Sequence, residues 1–366
     1  MSARPSSGTL SLRARTLTAV AVALAVTGAL PVSAAVAAPS APAASVRAGA
    51  PAGVAAAPLA AGLYQSAYSE RNDALWATAA VGMPPAPVTG SQLVKVDPDT
   101  LEVEATYPVP VSEAGTPEAV YGIDVDDEHN TLWVTNTRND SVAVYSQRDG
   151  RHLATLAGAK HSREVVVDER RDLAWVSAYG SGELVAYDSR TYREVRRVAV
   201  EGSGPTGLAV NERTGAVYAA DHLGSRIIEV RPGKANPRLL PAGAGPLGIA
   251  LSPDGRTAYT ADQTTGTLTV VSLRSGAVTA TVPTGAGAKS VDVSPRSGQV
   301  VVVNRLAGDV SVVDPCTTEV VATVPTGPLP NHVRIEGGTA YVLDKSAAGP
   351  RGEDLVTRIR LRAVTS

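Results

Sequence analysis

The residues of this chain best suited to chemistry are three histidines, His161, His222 and His332, and a recurring set of asparagines and aspartates. Imidazole works as a base, a proton shuttle or a metal ligand near neutral pH. The recurring set is Asn136, Asp221, Asp262, Asn304 and Asp344, each closing a short apolar run, with cations close behind in Asn304-Arg305 and Asp344-Lys345. The links between repeats add Tyr121, Lys160, Arg163 and Lys289, beside His161 and His332. Gathered round one opening, groups of mixed sign could hold a small polar ligand. The competing reading is local, because Asx residues at strand ends commonly bond the backbone that follows them.

No catalytic pattern assembles from these residues. There is no G-x-S-x-G nucleophile elbow. Gly243-Ala244-Gly245-Pro246-Leu247-Gly248 has dinucleotide-fingerprint spacing but joins two strand-like runs and opens no helix. Asp124, Asp126 and Asp127 lack the glycine and terminal glutamate of a calcium loop. The expectation is therefore no catalytic residue, no metal set and no cofactor. The expected ligand-binding residues are Tyr121, Asn136, His161, Arg163, His222, Asp262, Asn304, Arg305, His332 and Asp344.

A repeat of about 42 residues must position them. Its marker residues are Trp76, Trp133, Trp175, Tyr218, Tyr259, Val301 and Tyr341, separated by 57, 42, 43, 41, 42 and 40 residues. Each copy carries four runs of five or six residues, rich in Val and Thr and divided by turn pairs such as Asp254-Gly255 and Ser275-Gly276. Such runs are antiparallel strands joined as hairpins. A four-stranded sheet has two apolar faces and cannot hide both alone, whereas sheets stacked radially cover one another and a closed ring leaves no bare end. The fold class is all-β, a seven-bladed β-propeller of four-stranded antiparallel blades over residues 61–366. The last repeat has one strand too few, with its final strand expected near Leu355–Ala363, so residues of about 44–59 are expected to complete it and latch the ring.

Extra length gathers on one face of such a ring. Three segments are longer than their counterparts: the stretch after Ala79, the link near Val111–Glu118, and Lys345–Glu353. They belong to blades one, two and seven, which are neighbours once the ring closes. Long loops on a rigid scaffold are where binding usually sits.

Composition bounds the rest. The core rests on aliphatics, since aromatics are 4% of residues and Phe is absent. Arg4, Arg13 and Arg15, the apolar run Thr16–Leu30 and the small-residue site Ala35-Val36-Ala37 read as a secretory signal over residues 1–37, followed by an Ala/Pro-rich linker to residue 60. The formal charge of −2 becomes −5 without those three arginines, so nucleic acid is not an expected partner. No later run is long and apolar enough to span a membrane, and a monomer is expected. The single cysteine, Cys316, falls in a polar turn.

The repeat words resemble a known family. Trp133-Val134-Thr135-Asn136, with Ile249-Ala250-Leu251-Ser252-Pro253-Asp254-Gly255 and Thr279-Ala280-Thr281-Val282-Pro283-Thr284-Gly285, is similar to the repeat of YVTN-type, YncE-like exported β-propellers. The resemblance covers residues of about 62–363. It implies seven blades and a secreted binding protein, with a small polar ligand or a protein as partner. The alternative is a lactonase- or lyase-like enzyme using His161, His222 or His332.

Overall fold

A computed structural model describes residues 52–365. It shows seven four-stranded antiparallel sheets, each built from sequence-adjacent strands except the last. The inner strands are Leu63–Ser69, Val120–Asp126, Ser162–Asp168, Pro205–Asn211, Pro246–Leu251, Ala288–Val293 and Pro330–Glu336. Each touches the next in cyclic order, and the seventh touches the first, so the ring is closed.

The seventh sheet takes its outermost strand from the other end of the chain. Val54–Ala60 pairs antiparallel with Asp354–Arg360, from Val54 opposite Ile359 to Ala60 opposite Asp354. The final strand stops at Arg360 rather than near residue 363, and Leu361–Val364 forms a single helical turn. Asp354 ties the seam from the side, accepting backbone N–H groups of Gly62 at 2.7 Å and Leu63 at 2.9 Å. The expected signal over residues 1–37, and the part of the closing segment before residue 52, lie outside the described residues.

The marker residues explain why the sheets stack. Seven apolar clusters fill the seven gaps between blades, and each contains one marker from the blade before it. Trp76 packs on Val120 and Ile123, Trp133 on Val165 and Val167, and Trp175 on Leu208 and Val217. Tyr218, Tyr259 and Val301 repeat the arrangement. Tyr341 closes the circle against Leu63 and Leu75 of blade one. Because an aromatic ring buries large apolar area with few rotamers, one such residue in every gap but that of Val301 goes far toward holding a blade.

Among the described residues, no helix is long and apolar enough to cross a membrane. The three long segments lie at residues 82–89, 109–119 and 345–353, on one face. Cys316 is exposed.

Candidate functional site

Every inner strand carries a one-residue irregularity against its partner near the looped face. In blades one to three, two inner residues oppose a single partner: Tyr64 and Gln65 opposite Thr78, Tyr121 and Gly122 opposite Thr135, Arg163 and Glu164 opposite Ser177. A bulge of this kind leaves one N–H without a ladder bond and re-aims the side chains beside it. Here the partner's hydroxyl supplies the missing bond. Thr78 Oγ1 accepts from Gln65 N at 3.2 Å, Thr135 Oγ1 from Gly122 N at 2.7 Å, and Ser177 Oγ from Glu164 N at 2.9 Å.

Each of these hydroxyls also donates across the gap to the next blade. Thr78 reaches the Tyr121 carbonyl at 2.5 Å, Thr135 the Arg163 carbonyl at 2.9 Å, and Ser177 the Thr206 carbonyl at 2.6 Å. In blades four to seven the same repeat position is Ala220, Ala261, Val303 and Leu343. The hydroxyl bridges therefore fix the backbone of one arc, that of Tyr121, Arg163 and Thr206.

The bulged position forms the ring of side chains at the looped end of the channel: Tyr64, Tyr121, Arg163, Thr206, Leu247, Lys289 and Asn331. Tyr64 and Tyr121 meet at 4.8 Å between ring centroids. Arg163 lies over the Tyr121 ring at 4.4 Å, and Lys345 over the Tyr64 ring at 3.7 Å. Lys345 Nζ also donates to the Leu63 carbonyl at 2.9 Å. Arg305 donates to Asn331 Oδ1 at 2.7 Å. Among the described residues, the charged groups of Arg163 and Lys289 have no hydrogen-bond or ion-pair partner, although both line the same small cavity.

These charges act on one another. Burial raises the Tyr121 phenol, but Arg163 and Lys289 outweigh it and bring its pKa below the ordinary value. Burial lowers the Lys289 ammonium, with Arg305 and Arg163 adding to the effect. Lys345 is pushed down to about 8, first by burial and then by Arg305 and Lys289. Glu164 faces this group of cations from the next turn of the channel. Burial raises its carboxyl, against the bonds it accepts from Leu208 N at 2.9 Å and Gln65 Nε2 at 2.7 Å.

His332 sits at the level of Glu164. Its Nδ1 accepts the Ser66 N–H at 3.2 Å. A backbone N–H can only donate, so the neutral ring carries its own proton on Nε2. Burial, then Arg334 and Lys289, push its pKa down to about 3.

Below this constriction the channel widens toward the tight-turn face. A cavity of about 100 Å³ passes Asp124, Asp292 and Arg334 and opens into a funnel of about 930 Å³. Asp124 and Asp292 are raised by burial, and the Arg334 guanidinium opposes that rise in both. The funnel is thus the larger opening, but its charges are of both signs, with Asp124, Asp292, Glu212 and Asp254 set against Arg213, Arg256 and Arg334. Net positive charge is concentrated at the looped end.

The structure brings together Tyr121, Arg163, Arg305 and His332 of the residues expected from sequence. It places Tyr121, Arg163, Lys289 and His332 within inner strands rather than in the links before them. The Asx set does not line the channel. Asn136 is buried and donates to Glu118 Oε2 at 2.6 Å. Buried Asp262 accepts from Thr269 at 2.6 Å and Thr260 at 2.8 Å. Asn304 donates to Asp309 Oδ1 at 2.8 Å and Ser311 at 3.0 Å, and Asp344 accepts from Leu355 N at 2.8 Å. Asp221, likewise buried, holds Gly204 N at 2.7 Å and Arg226 at 2.7 Å. These side chains brace the loops, but only Asp221 and Asp344 do so through the backbone just after them, accepting from Gly224 N at 3.0 Å and Ser346 N at 3.2 Å.

The three histidines are dispersed. His161 is exposed on the rim, with its ring 5.5 Å from Tyr179, and it lines a side cavity together with Tyr121 and Arg163. His222 lies in the loop after Asp221, its Nδ1 buried without a partner. Among the described residues the one group with metal-ligand spacing is Glu128, His129 and Asp172. There His129 already meets Asp126 at 2.9 Å.

The sequence patterns do not single out Tyr64 or Glu164, and Lys289 and Lys345, though named as cations near the opening, are not among the expected ligand-binding residues. The signal for Tyr64 and Lys289 was present: the ring residue precedes the marker by 12 positions in six blades, as Tyr64 does Trp76 and Lys289 does Val301.

No protein-family model matches the chain, and no curated protein matches it by sequence. Solved structures do match in shape. Virginiamycin B lyase from Staphylococcus aureus superposes with a TM-score of 0.68 at 12% identity, over 84% of this chain and 99% of that one. A catalytically inactive variant of that lyase with quinupristin gives 0.65 at 11% identity, over 84% and 99%. Hydrazine synthase from Kuenenia stuttgartiensis gives 0.67 at 16% identity, over 82% and 96%. At these identities the likeness is one of fold: a seven-bladed β-propeller.

Proposed function

We propose that this chain binds a small anionic ligand at its looped mouth and does not transform it. The observation that carries the reading is the pair Arg163 and Lys289, cations without partners held beside Tyr121, with Arg305 and Lys345 in electrostatic range. Even a half-buried cation is costly to leave unpaired, so an anion entering here replaces the missing partner.

Isothermal titration with acetate, inorganic phosphate, a neutral amide and a primary amine tests this. The two anions are expected to bind and the other two not to. Affinity is expected to fall between pH 7 and pH 9, because Lys345, at about 8, loses its charge over that interval. In Lys345→Met the anion should bind more weakly and with a flatter profile. Equal binding of the amine and the anions would refute the reading.

A second reading, a lyase- or lactonase-like enzyme, is favoured by one observation. The lowered Tyr121 phenol and the raised Glu164 carboxyl sit on neighbouring blades beside one cavity, as a base and an acid would. Turnover of any bound acid, abolished in Tyr121→Phe, would establish it over simple binding.

The resemblance to exported YVTN-type propellers and the signal-like first 37 residues support secretion. The expected product in the medium or envelope begins at Ala38, and N-terminal sequencing that finds Met1 retained would refute it.

A further inference from the structure

The cationic cavity is small. Its free volume of about 20 Å³ admits about one water-sized group, which is an oxygen of an acid and not a whole molecule. The rest of any ligand must go elsewhere.

A second cavity shares two walls with it, Tyr121 and Arg163, and extends sideways beneath the long loop of blade one. It holds about 140 Å³ and is lined mainly by apolar groups, among them Tyr64, Pro84, Val88 and Val120. The loop is drawn over it by Arg138 of blade two, which donates to the Ala86 carbonyl at 2.7 Å and to that of Gly82. Its floor is the tilted pair Tyr64 and Tyr121. An apolar cavity of about 150 Å³ is known to take up a benzene-sized body. Tilted aromatic faces favour a further ring placed edge-on or offset against them.

We propose that the ligand is a small aryl acid: a carboxylate or phosphate carried on one benzene-sized apolar body. The acid oxygen enters the small cavity between Arg163 and Lys289, and the ring occupies the cleft beside Tyr64. This rests on the anion-binding reading above and adds the chemistry of the body to that of the head. The juxtaposition of unpartnered cations and an apolar cleft, sharing Arg163 as their common wall, is what selects the class. An anion alone would leave the cleft unused, and a neutral arene would leave the cations unpaired.

Calorimetric titration of the purified full-length chain with benzoate, phenyl phosphate, acetate, inorganic phosphate and benzamide tests it. Burying one ring is expected to tighten benzoate over acetate by roughly tenfold or more. Phenyl phosphate should exceed inorganic phosphate likewise, and the stronger of the two aryl acids identifies the head group. Val88→Trp, which fills the cleft, and Arg163→Gln should each weaken benzoate by a similar factor, with thermal melts confirming that both variants fold. Benzoate no tighter than acetate would overturn the aryl assignment and leave the anion site standing. Benzamide as tight as benzoate would remove the anionic head. No binding of any acid would overturn both readings together.

Discussion

Replacing Thr135 with Val tests the claim that side-chain hydroxyls, not the sheet ladder, hold the bulged arc. Valine has nearly the same shape, and Val303 occupies the equivalent place in blade six, so the site should accept it without a clash. What disappears is one oxygen with two bonds, from Gly122 N at 2.7 Å and to the Arg163 carbonyl at 2.9 Å. The Gly122 N–H is buried at the bulge, and leaving such a donor unpaired costs about 1–3 kcal/mol. The partly buried Arg163 carbonyl adds about 1 kcal/mol, and the extra buried methyl returns about 0.8 kcal/mol. The net expectation is a loss of about 2 kcal/mol, or roughly 3 °C in melting temperature for a chain of this size. Urea unfolding with matched thermal melts measures both. Thr135→Ser keeps the oxygen and should restore most of the stability. Arg163, no longer tethered by its carbonyl, should also bind the anion several-fold more weakly in the valine variant. A valine variant within about 0.5 kcal/mol of wild type, or a serine variant equally destabilised, would refute the reasoning.

The remaining predictions concern acid sensitivity and the seam. His332 has a folded pKa of about 3, below the value of about 6.5 for an unfolded histidine. Its contribution is therefore intact above pH 6.5 and is lost as pH falls toward 3, by up to about 1.4 kcal/mol per unit. His332→Gln should remove that part, so that between pH 6.5 and 5 the wild type loses up to about 2 kcal/mol more than the variant in urea titrations. Equal acid losses in the two proteins would show that the imidazole is not held neutral. Asp124, Asp292 and Glu164, raised by burial, pull in the opposite direction in both proteins. Ala55→Pro, in the strand from the chain's beginning that pairs Ala55 with Arg358 in phase with the bond from Arg360 N–H to the Gly53 carbonyl, should lower the melting temperature by a few degrees through a lost ladder bond. An unchanged melt would show that this strand does not latch the ring.

The amino-acid sequence by itself determined the architecture. A marker every 42 residues or so, four short runs between markers and a final copy one strand short specify seven sheets, and adjacent sheets can bury their faces only by stacking in a ring. Trp76, Trp133 and Trp175 read as core in one dimension and are core in three, because burial of a large apolar side chain depends on its own repeat and the next. The site depended on more. Asn136, Asp262, Asn304 and Asp344 look alike in the sequence whether they face a channel or brace a loop, and only the packed loops show that each is bonded within the protein. Arg163, Lys289 and Lys345 come from blades three, six and seven, hundreds of ångströms apart along an extended chain. What brings them within electrostatic reach of one another is closure of the ring, and the unpaired charge of Arg163 and Lys289 exists as a property of the site only after that closure. Local patterns record local partners; a cluster assembled across the axis is decided by tertiary structure alone.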